Sequence, residues 1–78
     1  MFLREELSQD PQYRELTRRE MDVLHCIRDG LPTKAISERL GLSRKGVEFH
    51  RLNIVRKWGC DNMMQVIRLA LRQRLLEV

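Results

Sequence analysis

Between Lys34 and Gly59 the chain reads KAISERLGLSRKGVEFHRLNIVRKWG, and the three residues Gly41-Leu42-Ser43 within it constrain the fold more than any other feature. On one side, Ile36 and Leu40 stack at i, i+4 on a short helix, Lys34 to Leu40, that Thr33 is placed to cap. Gly41 can close that helix in the left-handed conformation, with Leu42 packing back on Ile36. Ser43 is then placed to cap the next helix at once. So short a connection leaves no room for an antiparallel hairpin with a long loop, and the two helices must cross steeply, as in a helix-turn-helix.

The neighbouring segments read as two further helices. Thr17 followed by Glu20 fits a capping box, and Leu16 and Met21 occupy the two staple positions, so the start of the first helix is specified twice. Val23, Ile27, Leu24 and Met21 fall within an arc of roughly 160° on it, and Gly30 can end it. His25 lies on the polar side, where a solvated surface role is expected. A last helix starts after Asn62, whose spacing to Gln65 again resembles a capping box. Met63, Val66, Ile67 and Ala70 form its core stripe. Leu69 and Leu76 fall outside that stripe and are expected at a dimer interface, the other reading being cover by the N-terminal segment. That segment, residues 1–15, is interrupted by Asp10-Pro11 and reads as a lead-in or linker. The expectation is an all-α, compact four-helix domain over residues 16–78 with a central helix-turn-helix. At 78 residues the chain allows one domain, with a core near the lower limit for unassisted folding.

Two surfaces compete on the helix that runs from Ser43 to Gly59. With Val47 as origin, Ile54 and Trp58 return within roughly 20° and define a buried seam. Lys45, Phe49, Leu52 and Arg56 lie on the far side, flanked by Glu48 and Asn53. Arg51 projects about 40° from Val47, inside the seam, and Glu20 sits in the middle of the first helix's apolar arc. Opposite charges centred on facing apolar stripes should pair, so a structural Glu20–Arg51 ion pair is expected. His50 stands either under a bound phosphate or packed in the seam.

Charge separates the function classes. The net charge is +4, but Met1 to Gly30 holds five Arg or Lys against seven Asp or Glu, and the remainder holds ten against four. The basic half is the one suited to a polyanion. There is no Gly-rich phosphate loop, His25 and His50 lack an evident Ser, Cys or Asp relay, and a chain this small has little room for a substrate pocket; it is not expected to be an enzyme. Cys26 and Cys60 are far apart and lack a His pair, which argues against a metal and for a reducing compartment. With no apolar run of membrane length and no secretory leader, a cytoplasmic protein needing no cofactor is expected.

A helix that reads DNA must present one face to base edges while nearby cations meet phosphates. Here Arg44, Lys45, Arg56 and Lys57 bracket Glu48, Phe49 and Leu52, while Thr33 and Lys34 begin the preceding helix, where backbone amides can also meet a phosphate. Glu48 suits cytosine N4, or else pairs with Arg51 or Arg44. Phe49 and Leu52 suit thymine methyl groups, or a protein partner instead.

The run LTRREMDVLHCIRDGLPTKAISERLGLSRKGVEFHRLNIVRKWG, with its pieces LTRRE, Gly30-Leu31, KAISERLGLS and VEFHRLNI, resembles the LuxR-type helix-turn-helix domain, also called the NarL/FixJ or GerE type, of bacterial transcriptional regulators. The likeness covers Leu16 to about Ala70. It implies a DNA-binding motif from about Thr33 to Leu52, a third helix in the major groove, and dimerisation often through the fourth. By position, it assigns Glu48, Phe49 and Leu52 to bases, and Lys34, Lys45, Asn53, Arg56 and Lys57 to the backbone. It further implies double-stranded DNA as partner, a homodimer, and an upstream sensor domain outside this chain. Three residues depart from the pattern: Gly46 for Thr, at about 1 kcal/mol of helix propensity, Trp58 for Leu, and Met63-Met64 for Arg-Thr. The alternative is a protein-binding module that keeps the fold and has lost DNA binding.

Overall fold

A computed structural model describes residues 15–74 and Leu76, so the expected lead-in falls outside the description apart from Glu15. Four helices in sequence account for the regular structure: α1 Arg18–Arg28, α2 Thr33–Leu40, α3 Arg44–Lys57 and α4 Met63–Arg72. The described residues contain no strand. The all-α expectation holds, and three of the four helix starts carry a side-chain cap.

The Thr17 hydroxyl accepts from Glu20 N–H at 3.1 Å, while Thr17 N–H donates to Glu20 Oε1 at 2.8 Å, which completes the capping box. Ser43 Oγ accepts from Gly46 N–H at 2.9 Å, and Asn62 Oδ1 from Gln65 N–H at 2.9 Å. The Gln65 side chain reaches back one residue further than a capping box requires and accepts from Asp61 N–H at 2.7 Å. For α2 the expected cap is displaced. Pro32 occupies the N-cap position without a side-chain bond, and Thr33 is the first helical residue. Its hydroxyl is engaged elsewhere.

Gly41, at φ 68°, reverses the chain between α2 and α3 in the left-handed region that an L side chain enters only at a cost. Both its own N–H and that of Leu42 donate to Ser37 O, and the Ser37 hydroxyl donates to Leu42 O, so the turn's polar groups are satisfied locally. α3 packs against each of the other three helices. Its Val47 joins Cys26 of α1 and Ile36 of α2 in one buried cluster, with Leu40 and Leu42 packed on it. Ile54 and Trp58 join Val23, Leu24, Val66, Ala70 and Leu76 in a second. The first cluster fixes the α2–α3 crossing; the second ties α1, α4 and Leu76 to α3.

Leu76 is a correction to the expected dimer interface. α4 stops at Arg72, Arg74 adopts φ 64°, and Leu76 N–H returns to Ala70 O at 3.4 Å. The reversal turns the side chain under α4, where it is 3% exposed. A helix continued to residue 76 would have carried it outward. Leu69 is half-buried and packs against the same cluster.

Cys26 and Cys60 are free thiols, and burial, with Asp61 beside it, pushes the Cys60 thiol above its usual range. Among the described residues no group of His, Cys, Asp and Glu is arranged to hold a metal ion, and no helix is long and apolar enough to cross a membrane.

Candidate nucleic-acid interface

Because Val47, Ile54 and Trp58 are wholly buried, the opposite side of α3 is held outward by the core itself. That side carries Lys45, Glu48, Phe49, Leu52 and Arg56, all exposed, with Phe49 at 60% and Leu52 at 46%. Arg44 is exposed in the first turn of α3 and Lys34 in the first turn of α2. Asn53 is half-buried at the edge of the face, and His50 is half-buried, its ring edge-on to Phe49 with centroids 5.6 Å apart. Exposed aromatic and aliphatic groups bordered by cations form a ridge able to contact an apolar methyl and anionic oxygens at once.

Two of the expected roles change. Glu20 does pair across the helix interface, but with Lys57, whose Nζ lies 2.7 Å from Oε1 and also within 3.5 Å of Glu15 O. Arg51 instead turns to Glu48 on its own helix, Nε to Oε1 at 3.6 Å. The reason is axial. Glu20 lies in the first turn of α1, and that end of α1 meets the C-terminal end of α3, as the Glu15 contact also shows. Arg51 stands six residues earlier, roughly 9 Å back along the helix. Angular position alone favoured Arg51; a long Lys stem reaching inward from the correct level makes the bond. Lys57 is thereby drawn from the expected phosphate contacts into the fold's one buried carboxylate among the described residues.

Burial opposes ionisation of Glu20, but the Lys57 ammonium together with the Thr17 amide and hydroxyl outweighs it, and the carboxyl titrates below its ordinary value of 4.5. Glu20 therefore acts as cap, ion-pair partner and core residue together.

Thr33 Oγ1 donates to Glu48 Oε2 at 2.7 Å, joining the start of α2 to the outer face of α3. Spacing along either helix gives no hint of this contact, because it depends on the crossing angle. Cys26 was likewise missed as core; a small apolar residue between Val23 and Ile27 was the available signal.

Residues 14–70 match the family model described as bacterial regulatory proteins, luxR family (GerE). The chain belongs to that family. The uncharacterized response regulatory protein YgeK of Escherichia coli K12 is 47% identical over 58 residues, which are 74% of this chain and 40% of that protein. The oxygen regulatory protein NreC of Staphylococcus aureus strain JH9 is 37% identical over 68 residues, 87% of this chain and 31% of that protein. The chain thus spans less than half the length of either relative. The luxR-family domain is a non-enzymatic, DNA-binding domain of transcriptional regulators, in keeping with the ridge on α3.

Proposed function

We propose that this domain binds double-stranded DNA sequence-specifically by laying α3 in the major groove. Glu48, Phe49 and Leu52 meet base edges, while Lys34, Arg44, Lys45 and Arg56 meet phosphates, with Asn53 at the groove's edge. The observation that carries this reading is the division of α3 itself: one side wholly buried through Val47, Ile54 and Trp58, the other exposed and basic-bordered. A rigidly held helix of this kind reaches base edges without reorganising its own core.

Two copies act on two half-sites. With Leu76 buried, the side of α4 left for the second copy carries Met64, 63% exposed, with Arg68 and Arg72 beside it. Like-charged arginines oppose association in free solution, so the copies meet on DNA, where adjacent half-sites supply a high local concentration. We further propose a cytoplasmic setting and a signal-receiving region outside residues 1–78, in line with longer relatives named as regulatory proteins.

Selection of binding sites from random duplexes, followed by mobility-shift titration across a salt series, tests this directly. An enriched motif with half-sites about one helical turn apart is expected, with free protein monomeric and bound protein dimeric by sedimentation. The exposure of Phe49 and Leu52 also suits a protein contact. Absence of retardation at low salt, with tight capture of a protein through these two side chains, would establish that reading instead.

A further inference from the structure

Thr33 and Glu48 are fifteen residues apart, on different helices, and their hydrogen bond lies at the edge of the proposed reading face. We propose that Thr33 is a positioning residue for base specificity: its hydroxyl aims the Glu48 carboxylate so that it accepts from the N4 amino group of a cytosine in the major groove. This rests on the DNA reading proposed above and deepens it.

A glutamate on an exposed helix face has free rotation along its stem, and among phosphates it would swing away from the duplex. Glu48 is tied at one oxygen by a hydrogen bond and faces a cation at the other. Thr33 Oγ1 donates to Oε2 at 2.7 Å, and Arg51 Nε stands 3.6 Å from Oε1. Thr33 is β-branched, with few rotamers open to it, and it sits in the first turn of α2, which is locked against α3 by Ile36 and Val47. The donor is therefore as fixed as the helix crossing. An ionised carboxylate offers about four acceptor directions. The Thr33 hydrogen bond uses one of them, so about three remain for an outside donor. In the major groove amino groups are presented only by cytosine and adenine, and a lone carboxylate pairs with cytosine N4, while guanine O6 and thymine O4 would face it acceptor to acceptor. A fixed Glu48 accepts from cytosine N4 and rejects guanine and thymine, whereas a mobile one merely turns aside.

The test is site selection with the full chain, comparing wild type, Thr33→Val, Thr33→Ser and Glu48→Gln, together with affinity for random duplex and thermal midpoints. The half-buried Thr33 site accepts the isosteric valine, so Thr33→Val should melt as wild type does and bind random DNA equally well. At one base pair of each half-site its preference for cytosine should fall about three- to tenfold, and Thr33→Ser should restore it. Glu48→Gln should shift that position towards adenine, the usual partner of an amide. In a Glu48→Ala background Thr33→Val should change nothing further. An unaltered base profile in Thr33→Val overturns the proposal. So does a loss spread evenly over all duplexes, random DNA included, which would make Thr33 a backbone contact. Failure of the DNA reading itself is seen separately, as the absence of any enriched motif in wild type, and would remove this proposal with it.

Discussion

Glu20 concentrates the largest single-residue effects. It is 5% exposed, bonded to Lys57 at 2.7 Å and closing the α1 cap, so removing it leaves an ammonium without its partner and a helix end short of an acceptor. Glu20→Ala should cost about 3 kcal/mol of unfolding free energy at pH 7, read by urea denaturation. Its pKa is lowered by folding, so the stability it supplies is complete above the ordinary value of 4.5 and is lost as pH falls through the lower folded value. The acid-induced loss below pH 4.5 should accordingly be shallower in Glu20→Ala than in wild type. Arg51, on a long contact to the exposed Glu48, should lose less than about 1 kcal/mol on replacement by alanine. Equal destabilisation by Arg51→Ala and Lys57→Ala would refute the pairing.

Among the elements, α4 and its terminal reversal differ most from what periodicity suggests. The helix is amphipathic as far as Arg72, after which Arg74 enters the left-handed region and Leu76 joins the buried cluster that holds Trp58 and Ala70. Leu76→Ala should therefore destabilise the domain by about 2–3 kcal/mol, although the residue lies near the chain's end. Arg74→Gly should act in the opposite direction. Relief of the side chain's cost at φ 64° is worth about 1 kcal/mol, or about 4–8 °C in Tm for a domain this small. Calorimetry on the two variants checks both signs. An unchanged melting point in Leu76→Ala would mean that the reversal contributes nothing to the core.

At the scale of the whole molecule, the core decides which cations are offered outward. Lys34, Arg44, Lys45 and Arg56 are exposed on the proposed DNA side, while Lys57 is committed to Glu20. Four phosphate contacts give a log–log salt slope of about −3 to −4 per subunit. Lys45→Ala should weaken binding to every sequence alike and bring the slope about one closer to zero. Lys57→Ala should leave the slope alone and lower the melting point instead. Fluorescence anisotropy on specific and random duplexes between low and moderate salt distinguishes the two variants. A slope change for Lys57→Ala would return that residue to the backbone contacts.

Much of the molecule was legible one helix at a time. Capping pairs such as Thr17 with Glu20, the Gly41 stop and the Val47, Ile54, Trp58 seam are short-range facts, since a helix repeats its geometry every few residues and its ends must satisfy their own backbone groups. What lies level with what across two helices is a different quantity. It depends on crossing angle and axial offset, and these follow from how the whole core fills space. For that reason the partner of Glu20, the Thr33–Glu48 bond and the inward turn of Leu76 belong to the tertiary structure, whereas the helices carrying them, and the face that α3 turns outward, were already written in the order of the residues.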